Sequence, residues 1–180
     1  MAYLTFDYLN QRSGILKEAF ENRSMYNFDD FEQNRVFLSH RHRDIDIVKN
    51  VIGFLQELGG TIYVDYLDDV LPDKTNFETA AILRNRIDSC AKFILLASPN
   101  SSESKWIPWE LGIGDRKGLN NVAILPLVEN RDNWKEREYY QIYGSIQISQ
   151  QGNWCFFTPQ KSKGIKLTEW LTNSSLLLEG

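Results

Sequence analysis

The chain has little cysteine and no long hydrophobic run. Cys90 and Cys155 are its two cysteines in 180 residues, too few for a disulfide framework or a thiolate zinc site. No apolar stretch approaches the ~20 residues of a membrane-spanning helix. Asp7, Asn10 and Arg12 interrupt the N-terminus early, so we expect no signal peptide. These absences favour a soluble protein in a reducing compartment, and we expect the cytoplasm.

An excess of positive charge is also absent. The chain has 20 Lys and Arg residues and 24 Asp and Glu residues, which gives a net charge of −4. Surfaces that bind nucleic acid or anionic lipid need the opposite balance, so we expect neither nucleic acid nor a membrane as a partner. A length of 180 residues with 42% hydrophobic residues is typical of one globular domain with a real core.

Histidine is equally scarce, since His40 and His42 are the only two. Two histidines at a strand exit without a third clustered ligand are a weak metal signal, so a surface or ribose-contacting role is favoured. The acidic residues within 68–73 lack the spacing and glycine of a calcium loop. Ser39 and Ser98 have no visible His and Asp partners in triad roles. We therefore expect neither a metal site nor serine hydrolysis.

From residue 35 onwards, apolar runs and amphipathic stretches alternate. This alternation is typical of a parallel α/β sheet with helices on both faces. Pro126, within the last of the apolar runs, indicates a sheet edge or a strand end. Strands are predicted over 35–40, 61–65, 92–98 and 122–128. Helices are predicted over 44–58, over 78–90, and from a start within 104–108 to Gly118. The side chains predicted to be buried in the sheet are Phe37, Val64, Ile94, Leu96, Ile124 and Leu125.

Two further regions flank this pattern. Residues 1–33 contain a short predicted helix from Ser13 to about Arg23, and seven aromatic residues, too many for a disordered tail. We expect this extension to pack on the main domain or on a partner subunit. Residues 145–158 are predicted to form a hairpin, followed by a last short helix. The predicted division is therefore an extension over 1–33 and a domain over 34–180.

Three polar segments, 39–43, 65–74 and 98–110, follow the predicted strands. In open α/β sheets, ligands bind outside the carboxyl ends of the strands. Within the third segment, Trp106 and Glu110 are four residues apart and share one helical face. An aromatic plane beside a carboxylate suits a flat cationic ring. The alternative is a buried helix face with Glu110 at its rim, but the convergence of three polar segments favours a functional site.

The order of the motifs resembles that of a TIR (Toll/interleukin-1 receptor) domain. The resemblance covers roughly residues 34–130 and continues weakly to about 172, and it implies a flavodoxin-like fold with five parallel strands. Pro108 departs from the pattern, and so do the extension and the hairpin. The motifs are Val36-Phe-Leu-Ser-His, Ile62-Tyr-Val-Asp, Phe93-Ile-Leu-Leu-Ala-Ser-Pro and Ser104-x-Trp-x-x-x-Glu-Leu.

Many members of this family cleave NAD+ at the nicotinamide–ribose bond with a glutamate in the helix after the third strand, whereas receptor and adaptor members are scaffolds. The resemblance implies that Glu110 is this glutamate and that NAD+ is a substrate, with no metal or redox cofactor needed. Asp65 and Lys74 match the family's flexible BB loop. The implied substrate-binding residues are Ser39, His40, Arg41, Asp65, Lys74 and Trp106.

Within this family, the chain resembles stand-alone bacterial proteins such as the TIR subunits of Thoeris-like anti-phage systems. That similarity implies a cyclic or conjugated ADP-ribose signal, a separate effector protein that responds to it, and self-association through TIR–TIR contacts. The alternatives are a non-catalytic scaffold and an enzyme that only hydrolyses NAD+. Cyclisation requires that water be kept from the ribosyl intermediate, and the extension and the BB loop are the segments available to enclose the site.

Overall fold

Strands and helices alternate along the chain in the computed structural model, which describes residues 2–23, 34–65, 77–130, 134, 138–160 and 164–173. The predicted BB loop beyond Asp65, with Lys74, and the aromatic residues near position 28 lie outside the described residues. The strands are β1 (Leu4–Thr5), β2 (Arg35–Ser39), β3 (Thr61–Tyr63), β4 (Lys92–Ala97), β5 (Val122–Val128), β6 (Gly144–Ile148), β7 (Trp154–Phe157) and β8 (Gly164–Lys166), and the helices are α1 (Phe6–Gln11), α2 (Ser13–Arg23), α3 (Ile45–Glu57), α4 (Phe77–Ser89), α5 (Ile107–Gly114) and α6 (Leu167–Thr172).

The strands form one mixed sheet in the order β3-β2-β4-β5-β6-β7-β8. The five strands from β3 to β6 are parallel, and β6, β7 and β8 are joined by antiparallel pairing. This arrangement confirms the parallel α/β sheet and the hairpin. The chain passes from β2 to β3 on one side and returns to β4 on the other. The carboxyl ends of β2 and β4 therefore form a topological switch point, where ligands of such sheets bind.

Alternating side chains of the central strands supply two cores, one on each face of the sheet. Val36 and Leu38 face the core covered by α3 and α6, whereas Phe37 faces the core covered by α4 and α5. A strand that is buried on both faces reads as a continuous apolar run, which is why these strands could be predicted. All six side chains predicted to be buried, from Phe37 to Leu125, are at most 1% exposed.

The N-terminal strand lies in the sheet beside β5. Strand β6 pairs with Ala123 and Ile124 of β5, and strand β1 pairs with Leu127 and Val128 of β5. Pro126 falls between these two ladders, where its missing N–H interrupts the pairing least. Because β5 has neighbours on both sides, the sheet-edge interpretation of Pro126 is wrong.

Helices α1 and α2 pack on the outer surface of α3. Leu9 and Leu16 are fully buried, and a Cβ placed on Gly53 would lie 2.0 Å from the carbonyl oxygen of Leu16. A glycine is therefore required where α2 crosses α3. Glycine also ends α3, because Gly59 has a φ of 90°, the left-handed conformation common after a helix.

None of the described helices is both long enough and apolar enough to cross a membrane.

Candidate active site

The carboxylate of Glu110 is held at the switch point by the last residue of β2. The Ser39 hydroxyl donates a hydrogen bond of 2.5 Å to Glu110 Oε2. Glu110 is 6% exposed and Ser39 is 2% exposed, so this is a buried, charge-assisted contact. It joins the carboxyl end of a central strand to the first turn of α5.

Local sequence explains why α5 starts where it does. The Ser104 hydroxyl accepts hydrogen bonds from the backbone N–H groups of Trp106 and Ile107, which satisfies two donors at the helix start. Pro108 lies in the first turn, where its missing N–H costs least. The Glu110 N–H donates to the Trp106 carbonyl across 2.9 Å. The predicted one-turn relationship between Trp106 and Glu110 is therefore confirmed.

Burial raises the pKa of Glu110 to about 7. The largest cause is desolvation of the charged form; the Ser39 hydrogen bond acts in the opposite direction, and the charge of Asp65 adds a smaller upward effect. A carboxyl group with a pKa near the working pH can be converted between its charged and neutral forms. Such displaced values are typical of functional carboxyl groups.

His40 and Asp65 lie at the same edge. The side chain of His40 is 2% exposed, and its Nδ1 lies 3.7 Å from Asp65 Oδ1. The surface role allowed for His40 from the sequence is therefore wrong, because its ring is enclosed. Asp65 follows β3 and remains 37% exposed, and its influence on the Glu110 pKa places the two carboxyl groups within electrostatic reach.

Arg41 directly follows the β2 exit and is half-buried. Its Nε is buried and has no hydrogen-bond partner among the described residues, an arrangement that costs free energy unless a ligand or water satisfies it. Trp106 is also half-buried and meets Trp109 edge to face, with 5.1 Å between ring centroids. Ser39, His40, Asp65 and Glu110 thus form one cluster, with Arg41 beside it.

A second buried carboxylate, Asp44, was not predicted. It occupies the N-cap position of α3 but makes no side-chain cap. Instead it accepts hydrogen bonds from Ser98 Oγ (2.5 Å) and Asn100 Nδ2 (2.6 Å). An acidic residue before an amphipathic helix is usually a cap, so no local pattern indicated this bridge. Asp44 fixes the β4 exit segment, which leads to Ser104 and α5.

A pocket of about 300 Å³ opens beside this segment, between the ends of β4 and β5. Its wall combines serine hydroxyls with the aromatic rings of Trp134 and Tyr140, which stack with an interplanar angle of 11°. No sequence motif indicated Trp134. Ser39 pairs in register with Leu95 on the adjacent strand β4. Ala97, which lines the pocket, lies two residues further along β4. At 3.3 Å per residue and 4.8 Å between strands, the pocket begins on the order of 8 Å from Ser39.

The described part of the chain contains no group of three or more His, Cys, Asp or Glu side chains arranged to hold a metal ion. The chemistry of the site is that of a buried carboxyl group, hydroxyl groups, a guanidinium group and aromatic rings.

Comparison with known proteins agrees with this geometry. The family model described as TIR domain matches residues 36–161. The chain belongs to the TIR domain family. It is 34% identical over 167 residues to "Probable 3' cyclic ADP-D-ribose synthase ThsB'" of Bacillus cereus (strain MSX-D12), an alignment that covers 87% of this chain and 82% of that protein. It is also 29% identical over 92 residues to "Putative cyclic ADP-D-ribose synthase TIR2" of Cytobacillus dafuensis, which covers 49% of this chain and 24% of that longer protein.

The family and the fold expected from the motifs are thereby confirmed. The TIR match begins at Val36, in β2, and ends beyond β7. It therefore includes every described residue of the Glu110 cluster.

Proposed function

We propose that this TIR-domain protein is an enzyme that cleaves NAD+ at the nicotinamide–ribose bond and makes a cyclic ADP-ribose signal in antiviral defence. The observation that carries the proposal is the buried Glu110 carboxyl group, held by Ser39 at the switch point of the sheet. The names of the two relatives, both cyclic ADP-D-ribose synthases, support the class of product. Their similarity over the TIR domain supports NAD+ as the substrate.

Cleavage of the nicotinamide–ribose bond requires stabilisation of positive charge at the ribose carbon of that bond. When the glycosidic bond breaks, its electron pair leaves with the nicotinamide nitrogen, the ring becomes neutral, and positive charge develops on the ribose. An adjacent carboxylate stabilises such an oxocarbenium-like state. A cationic nicotinamide beside Glu110 also favours the ionised form of the carboxyl group and opposes the effect of burial.

Formation of a cyclic product requires a second step at the same carbon. A nucleophilic group of the adenosine half attacks the ribosyl carbon; where this group is a hydroxyl, it loses its proton as the new bond forms. Water competes for the same carbon, and its success gives linear ADP-ribose. A pocket beside the Glu110 cluster supports cyclisation because it can hold part of the dinucleotide close to the reacting ribose.

The remaining site residues have proposed roles in binding. Arg41, with a buried Nε that has no partner among the described residues, suits the pyrophosphate, and Lys74 is proposed as a second cation for it. Trp106 is proposed as an aromatic contact of the substrate. His40 and Asp65 are proposed to contact or orient the ribose.

We also propose the organisation inferred from the sequence: an extension over 1–33, a TIR domain over 34–180, self-association through TIR–TIR contacts, and a separate effector that responds to the product. The packing of Leu9 and Leu16 in the core supports an extension that folds with the domain.

Nicotinamide release from NAD+ tests the enzymatic proposal. The full chain should release nicotinamide, Glu110→Gln should lose at least about a hundredfold in rate, and Glu103→Gln should retain it. The control is matched, because Glu103 lies in the segment before α5 and its side chain is 62% exposed. Equal rates for wild type and Glu110→Gln would remove Glu110 from the mechanism. If the protein binds NAD+ but does not cleave it, even in a self-associated form, the result would favour the non-catalytic scaffold.

A further inference from the structure

The N-terminal strand is joined to the pocket that lies beside the Glu110 cluster. Leu4 and Thr5 pair with Leu127 and Val128, and both of these β5 residues line the pocket. Ala2 forms an antiparallel bridge to Ile148, at the end of β6. The strand therefore fills the position in the sheet that β6 leaves vacant.

Tyr3, between these two anchors, contacts the aromatic wall of the pocket from behind. Its ring meets Trp134 edge to face, with 5.4 Å between centroids and an interplanar angle of 60°. Trp134 in turn stacks on Tyr140, with 6.2 Å between centroids. Trp134 and Tyr140 line the pocket, and Tyr3 does not. Tyr3 therefore contacts a residue of the pocket wall without lining the pocket itself.

We propose that Tyr3 is a positioning residue for the substrate pocket: the N-terminal strand holds it against Trp134, and it thereby sets how tightly the dinucleotide is held. This inference rests on the proposed NAD+ site. Its structural reason is that an edge-to-face contact fixes the orientation of the second ring, and the strand on either side of Tyr3 is anchored at Ala2 and Leu4. The extension is then part of the substrate site as well as of the fold.

The chain offers a matched control in the same extension. Tyr8 is also a half-buried tyrosine with edge-to-face contacts, but its partners are Phe54 and Trp154, which are not pocket residues. Replacing either tyrosine with leucine removes aromatic packing from the extension. Only the Tyr3 change removes it from the pocket wall.

The test measures NAD+ affinity separately from turnover. In the full-length Glu110→Gln protein, isothermal titration calorimetry with NAD+ should show Kd raised roughly threefold to tenfold by Tyr3→Leu, the loss expected for one aromatic pair. Tyr3→Phe, which keeps the ring, should restore the original Kd, and Tyr8→Leu should leave it unchanged. In the active protein the same change should appear in KM, with kcat altered less than twofold.

Thermal unfolding of each variant establishes that it is folded, and Tyr3→Met replaces Tyr3→Leu if the latter does not fold. Equal Kd values for Tyr3→Leu and Tyr8→Leu, with NAD+ bound, would overturn the inference and leave the proposed function intact. If NAD+ neither binds to Glu110→Gln nor is cleaved by wild type, the proposed function fails, and the inference fails with it.

Discussion

The Ser39 hydroxyl donates a 2.5 Å hydrogen bond to the buried carboxylate of Glu110. Two opposing effects therefore act on one carboxyl group: burial raises its pKa, and the Ser39 hydrogen bond lowers it. Burial is the larger effect. The result is a carboxyl group that changes charge near neutral pH, in contact with the end of a central strand.

Ser39→Ala should shift the pH dependence of catalysis. Loss of the hydrogen bond removes a contact that favours the charged form, so the Glu110 pKa should rise. If the ionised form is the active one, the rise in kcat/KM with pH should move to higher pH, and the rate at pH 7 should fall. A profile of nicotinamide release between pH 5 and 9 measures this shift.

Ser89→Ala is the control for that experiment. Ser89 is exposed and donates to the Arg86 carbonyl at the end of α4. It lies just before the amino end of β4, and so at the edge of the sheet opposite the Glu110 cluster. Its removal should leave the pH midpoint unchanged. The same midpoint in wild type and in Ser39→Ala would contradict the account of the Glu110 pKa.

Glu110→Gln should stabilise the protein, and the gain should depend on pH. The folded pKa of about 7 lies above the ordinary value of 4.5 for a glutamate, so between these values the unfolded chain ionises first and wild-type stability falls as pH rises. The gain should be near zero at pH 4.5 and should level off above pH 7 at no more than about 3 kcal/mol. Urea unfolding at several pH values measures it.

A matched control is again Glu103→Gln, whose side chain is largely exposed. It should change the unfolding free energy by about 0.5 kcal/mol or less. A Glu110→Gln difference that does not vary with pH would show that the carboxyl group is not buried in the uncharged form near neutral pH.

The central sheet could be predicted because its strands are buried on both faces. Phe37 and Ile94 belong to continuous apolar runs. The apolar stripe of helix α3 is followed by Gly59, a glycine with positive φ. Strands β1 and β8, of two and three residues, were missed. Strand β3 is as short as β8, but the β-branched run over 61–65 indicated it. The interior position of Pro126 depends on the gap between two partner strands, which no local pattern encodes.

The candidate site was predicted in part. Spacing alone placed Trp106 and Glu110 one turn apart, and the motif order brought Ser39, His40 and Asp65 to the same edge. Asp44 resembles a helix cap in sequence, and Trp134 follows a polar segment without a period. Both take their roles from contacts across the fold, with Ser98 and Tyr3 respectively.

Asp44→Ala should destabilise the protein by roughly 1–3 kcal/mol, because the buried Ser98 hydroxyl and the Asn100 amide lose their acceptor. Ser98 and Asn100 donate to this carboxylate and fix the segment that leads to α5. Nicotinamide release should therefore fall as well. Asp44→Asn, which keeps one acceptor oxygen, should be milder in both respects. Urea unfolding beside the rate assay checks both, and full activity in Asp44→Ala would show that the segment needs no anchor.

Gly53→Ala should separate α2 from α3, since the added Cβ would lie 2.0 Å from the Leu16 carbonyl oxygen. Limited proteolysis should then cleave within residues 2–23 faster than in wild type. Gly14→Ala is the counterpart: open space surrounds this helical glycine, so the change should stabilise the protein by up to about 1 kcal/mol. Equal protease resistance in Gly53→Ala and wild type would contradict the close crossing.

The most direct test of the account is mass spectrometry of the products formed from NAD+ by the full chain, with Glu110→Gln beside it. The wild-type chain should form nicotinamide together with a product that has the mass of ADP-ribose less one water, the mass of a cyclic ADP-ribose, and the variant should form neither. Linear ADP-ribose alone, or an unchanged cyclic product from Glu110→Gln, would contradict it.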